Sequence, residues 1–485
     1  MADRPAAIRA TEPFFLFDYF RVPYRLGEPS GVVGSEDSVG SSPLYTCGAL
    51  HVRRPDGSDA VVRWPSRGTE VDGMLAPGPL RLGDVRLWGR VIPDRVARGW
   101  LDEAKGEWTP SDTLHDGSGR PVASIWTDEH DNVLLPFDPQ ELIEAFWRED
   151  HFAEESGGEL LLRAYYRVRP VMPRRLQIAV RRLYSRVQAR RAFPGWPAET
   201  ALHDLYSRLF ARIVQSAGTR IPYLAPWPDG HSWAFVLTHD VETAAGYRDI
   251  APLCDLERSL GYRSSWNLVA QGYDVDDEMV ERLVADGFEI GVHGFRHDGR
   301  DFESIQSLRS RVPEIRRSAE RWGAQGFRSP STLRVWDWMP ELGFDYDSSY
   351  SDTAPFEPQP GGCCSLLPFF NHGLVELPVT MPQDHTLFVL LGERDERLWL
   401  EKAELVRGMG GMALMLTHPD YATPTRLDAY RRLLAEYRED QTAWRALPCE
   451  VSAWWRARAA SRLEPQGAGW RAVGPAAERA RVAFA

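Results

Sequence analysis

From Ser232 to about Tyr437, apolar runs and amphipathic stretches alternate without interruption, and this alternation restricts the fold more than any other feature of the chain. AFVLTHD (234–240) precedes a helical stretch ending at Gly261. SSWNLVA (264–270) precedes DDEMVERLVADG (276–287), and FEIGVHG (288–294) precedes a long helix ending at Gly323. GFRSP, VWDWMPELG and FDYDSSY follow; LVELPVT (374–380) leads to a helix ending at Gly408, and GMALMLTHPD (411–420) to one running through Tyr437. Strands that regularly alternate with helices pair in parallel, because a parallel neighbour is reached only by a long crossover. The expected fold class is therefore α/β, as an open sheet or a closed barrel. In both, ligands bind at the C-terminal ends of the strands. The polar residues of this region stand just after the apolar runs, at those ends.

A chain of 485 residues exceeds one ordinary domain, and its 43% hydrophobic and 26% charged composition supports a sizeable core. Residues 1–155 are rich in Gly, Pro and Asp. Short β-like pieces (44–52, 59–64, 123–128) and a helix over 141–150 predict an α+β domain of unknown role. Residues 156–231 read as an Arg-rich helical segment and a linker. Ten arginines fall between 163 and 191, and Leu176, Val180, Leu183 and Val187 share one helical face there. A basic amphipathic helix can lie on an anionic membrane or bind an acidic partner; the bland alternative pairs the arginines with the protein's own acids. A helix over 197–218, capped by Gly218, and the proline-rich IPYLAPWPDG (221–230) complete the segment. Residues 232–455 form the domain that holds the alternating region, and 456–485 a C-terminal tail.

The net charge of −12 argues against general nucleic-acid binding. The opening MADRPAAIRATEPFFLFDYF does not read as a secretory signal, and no run of about 18 apolar residues occurs, so a cytoplasmic location is expected. Five cysteines with no C-x-x-C spacing predict free thiols rather than a zinc site or a disulfide framework. Pairing of the neighbours Cys363 and Cys364 would be strained.

Four constellations carry chemistry. His293 and His297 in FEIGVHGFRHD have i, i+4 spacing, which places two imidazoles on one side of a helical turn within reach of one metal ion. Such spacing also arises by chance among twelve histidines. Asp240 and Glu242 in LTHDVE lie two apart on an extended segment and face the same way; one carboxylate can complete a two-histidine site while the other takes a proton from water. Helix capping is the plain alternative. Arg328 in GFRSPS can fix and charge-stabilise a carboxylate, and His418 in LTHPDY can protonate a leaving amine. Each signal alone is modest. Their joint placement after apolar strands is much harder to obtain by chance.

In this order the motifs resemble those of the polysaccharide deacetylases, the chitooligosaccharide deacetylase homology domain of carbohydrate esterase family four. The resemblance covers about residues 232–440. It rests on H-x-x-x-H at 293–297, R-x-P at 328–330, LGFDYDSSY (342–350) and L-T-H at 416–418. The family's usual adjacent aspartates are replaced by Asp240-Val241-Glu242, closer to the D-V-D or D-V-E variant of a subset. The resemblance implies a distorted parallel (β/α) barrel of about seven strands and a metal-dependent N-deacetylase, most simply with zinc, acting on an amino sugar in a glycan or glycan precursor. It implies Glu242, His293 and His297 as metal ligands, Asp240 as base, Arg328 holding that base, and His418 as acid. Asp347, or equally Asp345, would orient His418, and Trp266, Trp336 and Trp338 would stack on sugar rings, although tryptophans in such segments are more often core. Two other readings stand beside it: an amidohydrolase of the same fold acting on a small non-sugar amide, and a non-catalytic carbohydrate-binding protein.

Overall fold

The computed structural model describes residues 6–27, 47–67, 71–153 except 103 and 105, 181–188 except 184 and 186, and 193–485 except 468. The chain divides into two compact units. One comprises residues 1–154, 200–225 and 457–485; the other comprises 155–199 and 226–456.

The first unit is built on a nine-stranded sheet in the order Arg25–Leu26, Ala7–Ala10, Gly48–Arg53, Asp59–Trp64, Val133–Leu134, Pro121–Thr127, Thr109–Asp116, Leu75–Leu82, Val85–Val91. Neighbours are antiparallel except for the first pair and the pairing of Asp59–Trp64 with Val133–Leu134. The strands read from the sequence at 59–64 and 123–128 are present, as is a helix, Pro139–Trp147, N-capped by Asp138. LAPGPLRL and TPSDTLHD lack any clean alternation, yet both are strands. The first tolerates its prolines and glycine near the sheet edge through an irregularity between Leu75 and Gly78.

Two stretches that the sequence assigned elsewhere belong to this unit. The helix Ala201–Ala217 ends at Gly218 with φ 61°, as its sequence implies, but it is no part of a linker. Its buried stripe of Leu202, Leu205, Leu209 and Ile213 needs a sheet to cover it. Its polar groups bond to the same unit: the Ser216 carbonyl accepts from Arg54 Nε at 2.8 Å, and Ser216 Oγ donates to the Asp131 carbonyl at 2.8 Å. Residues 457–485 are likewise no loose tail, for Val482–Phe484 pairs antiparallel with Pro222–Leu224.

The second unit contains the alternating region. Its strands are β1 (Trp233–Val241), β2 (Ser265–Leu268), β3 (Glu289–Val292), β4 (Gly326–Phe327), β5 (Tyr346–Asp347), β6 (Phe369–Asn371), β7 (Leu374–Glu376), β8 (Met412–Thr417) and β9 (Ala443–Arg445). The sheet order is β6-β7-β5-β4-β3-β2-β1-β8, with β9 also pairing β1. All pairings are parallel except the β6–β7 hairpin. Beyond β7 the chain reaches the other end of this order, where Met381 N–H donates to the Leu414 carbonyl at 3.1 Å. Every residue of β1 and β8 is buried, as expected for parallel strands covered on both faces.

Most of the arginine-rich segment lies outside the described residues. Two of its members are visible: Arg181 and Arg182 donate to the carbonyls of Phe356 and Val389, while Leu183 and Val187 are exposed. All five cysteines are free thiols. No helix among the described residues is long and apolar enough to cross a membrane.

Candidate metal and active site

Asp240 ends β1 with Val241, and Glu242 follows. His293 follows β3, Arg328 follows β4 and His418 follows β8, so the four sequence constellations meet at the C-terminal ends of parallel strands. Inter-strand bonds carry the alignment past the strands themselves: His293 N–H donates to the Leu268 carbonyl at 2.7 Å, and Arg328 N–H to the Val292 carbonyl at 2.9 Å.

The His293 ring is buried, with Nδ1 3.1 Å from the Arg328 carbonyl oxygen. A carbonyl only accepts, so Nδ1 carries the proton and Nε2 keeps its lone pair. Nε2 is buried and has no hydrogen-bond partner. An orphaned buried acceptor of this kind calls for an explanation, and a bound ion is one. Burial pulls His293 down to about 4, which keeps the ring neutral. His297 is not on a helical turn, as its spacing predicted. It sits on an irregular loop with φ 52°, after Gly294 with φ 67°. A Cβ at 294 would come within 2.4 Å of Pro330, so this loop requires glycine. The loop brings the two imidazole centroids to 5.2 Å. Glu242 Oε1 lies 3.1 Å from His297 Nε2. Burial opposes ionisation of Glu242, but His297 and His418 outweigh it and hold the carboxyl well below its usual range.

One ligand atom each from Glu242, His293 and His297 lies within 4.8 Å of the others. A neutral imidazole, an ionised carboxylate and a second imidazole whose Nε2 faces that carboxylate form the donor set that suits a zinc-like divalent ion.

Asp240 is 2% exposed. Its Oδ1 accepts from Asn267 Nδ2 at 2.8 Å and from Arg328 Nη1 at 3.2 Å, and its Oδ2 lies 3.7 Å from His293 Nδ1. Arg328 is fixed on every side. Nε donates to the Ser348 carbonyl, Nη2 to Ser348 Oγ and Nη1 to Thr238 Oγ1, each at 2.7 Å. Burial raises the Asp240 pKa, yet His293, Arg328 and His418 together bring it below its ordinary value.

His418 Nδ1 donates to Asp384 Oδ1 at 2.7 Å, and Asp384 Oδ2 accepts the backbone N–H of His418 at 3.0 Å. His418 Nε2 is 3.9 Å from Glu242 Oε1. Burial disfavours the imidazolium, but Asp384, Glu242 and Asp240 outweigh burial and raise it to about 10. Asp384 precedes a π-helical stretch, His385–Leu391, a rare conformation found often at functional sites.

Asp384 therefore does what the sequence assigned to Asp347. Asp347 sits on β5, paired with Glu376 of β7, and accepts from Ser349 Oγ at 2.8 Å. The exposed Asp345 precedes β5, at its N-terminal end. Neither side chain reaches His418, because β8 adjoins β1 and the chain following β7, not β5. Trp266 is fully buried, stacked on His239 at 4.1 Å, and is closed to any sugar. Trp336 stacks on Phe369 with an interplanar angle of 14°, in an aromatic group with Tyr350. Trp338 is half-buried at the start of the turn Met339–Leu342. Asn267 and Asp384 are the residues that the motifs missed. Both had a signal: Asn267 interrupts the apolar run SSWNLVA, and Asp384 closes the extended stretch after β7.

No protein-family model matches this sequence, and no curated protein does. Solved polysaccharide deacetylases are similar to it. A protein assigned as a polysaccharide deacetylase from Mycobacterium smegmatis is 20% identical, over 50% of this chain and 97% of that one, with a TM-score of 0.40. The Puue allantoinase is 17% identical, over 48% and 92%, with a TM-score of 0.40. The peptidoglycan deacetylase PdaC from Bacillus subtilis is 12% identical, over 46% and 90%, with a TM-score of 0.31.

Proposed function

We propose that the second unit is a metal-dependent hydrolase that removes an N-acyl group, acetyl in the simplest case, from an amino sugar of a glycan or glycan precursor. The observation that carries this reading is the convergence of Glu242, His293 and His297 between a carboxylate held by Arg328 and a histidine held by Asp384. Base, ligand set and acid are the groups that amide hydrolysis needs.

Glu242, His293 Nε2 and His297 Nε2 would hold the ion, which would supply polarisation of the acyl carbonyl and acidification of a water. Asp240 Oδ2 takes the water's proton, while Arg328 and Asn267 keep Oδ1 in place. The new C–O bond forms as the hydroxide adds to the carbonyl carbon. The C–N bond then breaks as His418 Nε2 gives its proton to the departing amine, leaving a free amino sugar and a carboxylate. Asp384 keeps His418 protonated and its Nε2 directed inward.

The test is acetate release from a panel of N-acetylated amino sugars and their nucleotide- and lipid-linked forms, with zinc-loaded and chelator-treated full-length protein. Metal-dependent acetate release from one of them is the expected result. Turnover of small cyclic or linear amides alone would replace the sugar substrate with a non-sugar amide. No turnover of either class by a metal-loaded protein would contradict the reading.

A further inference from the structure

The turn that follows the acid, Pro419–Tyr421, reaches across to the loop that carries the proposed metal carboxylate. Asp420 Oδ2 accepts the backbone N–H of Glu242 at 3.0 Å, and Asp420 Oδ1 accepts the hydroxyl of Thr243. Thr243 in turn caps the short helix Ala244–Arg248, accepting from Ala245 N–H and Gly246 N–H. The carboxylate fits only because residue 246 is glycine: a Cβ there would stand 2.2 Å from Asp420 Oδ2. One residue on, the Tyr421 hydroxyl donates to Glu242 Oε2 at 3.3 Å, while Glu242 Oε1 faces His297 and His418. His418 immediately precedes this turn, and Asp240 lies two residues before Glu242.

We propose that Asp420 and Tyr421 are positioning residues for the metal carboxylate, Asp420 fixing the backbone of Glu242 and Tyr421 fixing its outer oxygen. This rests on the metal-hydrolase reading above and adds to it a specific outer shell. A glutamate has three rotatable side-chain bonds, and at 20% side-chain exposure Glu242 would otherwise have room to sample several positions. A donor on Oε2 leaves Oε1 as the oxygen directed at the two histidines. A backbone clamp one strand away also ties the height of the ligand to the turn that follows the acid. Groups of this kind around metal sites, when removed, cost about 10–100-fold in metal affinity.

The test uses full-length wild type, Tyr421→Phe and Asp420→Asn, each stripped of metal. Zinc affinity is read by competition with a chromophoric chelator, and thermal unfolding of the metal-free proteins reports the fold. Tyr421→Phe removes one hydroxyl and is expected to keep the wild-type melting temperature while zinc affinity falls about tenfold. Asp420→Asn is expected to lose about 10–100-fold. Wild-type affinity in both variants, beside a wild-type chain that binds zinc, would overturn the positioning role and leave the hydrolase reading standing. Failure of the wild-type chain to bind zinc or another divalent ion would overturn both. Should Asp420→Asn not fold, Tyr421→Phe alone decides, since an unchanged affinity there removes the side-chain half of the clamp and with it the proposal.

Discussion

In the second unit the buried pairs His239–Glu257 and His418–Asp384 are each joined at 2.7 Å. His239 is closed. Nε2 donates to Glu257, Nδ1 accepts the Thr417 hydroxyl at 2.7 Å, and the ring lies against Trp266. Glu257 is closed as well, accepting from Tyr430 and Ser264, each at 2.6 Å. His418 is bound at Nδ1 only, and its Nε2 looks across at Glu242. The two histidines are near neighbours, since His239 is in register with Thr417, the residue before His418. Successive side chains on a strand point to opposite faces, so one pair points away from the site while the other points into it. The difference teaches how to tell a scaffold from a site: burial and ionisable chemistry are common to both, and the atom left free separates them.

The comparison can be broken or sharpened by substitution. Asp240→Asn should have the largest effect, a loss of roughly 10²–10⁴ in kcat with metal content unchanged, because it removes the proposed base and keeps the shape. Loss of metal in step with activity would make Asp240 a ligand. Asp384→Asn should cost less at neutral pH but move the pH profile. An acid works only while protonated, so activity falls as pH rises through the pKa of His418. Asp384 raises that pKa, and its removal should shift the alkaline limb down by about 1–3 pH units. An unmoved limb would remove His418–Asp384 from the mechanism. Glu257→Gln should leave kcat of the folded protein unchanged and lower stability by about 1–3 kcal/mol, read from the urea midpoint at constant slope. A fall in kcat there would show that the closed pair is not merely scaffold. Trp266→Phe should have the smallest effect of all, with kcat and KM both unchanged, since the fully buried ring has no access to substrate; a raised KM would place the ring against substrate.

The alternation of apolar runs and helices was sufficient to read the parallel sheet of the second unit and the strand ends at which its polar residues gather. The pairing of a histidine with its carboxylate was not legible, because it depends on which strands adjoin. Asp347 and Asp384 both follow apolar stretches, and only the order β7-β5-β4, with the chain beyond β7 touching β8, puts Asp384 beside His418. The spacing of His293 and His297 indicated a shared target but gave the wrong local shape, since Gly294 and a left-handed His297 replace the helical turn. In the first unit, strands rich in proline and acids had no pattern to read. Their hydrogen bonds to neighbours, rather than their own side-chain alternation, make them strands.

X-ray absorption at the zinc edge, on the zinc-loaded full-length protein, tests the donor set most directly. Glu242, His293 and His297 predict two imidazole nitrogens at about 2.0–2.1 Å with oxygen completing the shell, and one imidazole in His297→Ala. A shell containing sulfur at about 2.3 Å, or an imidazole count unchanged by His297→Ala, would contradict it.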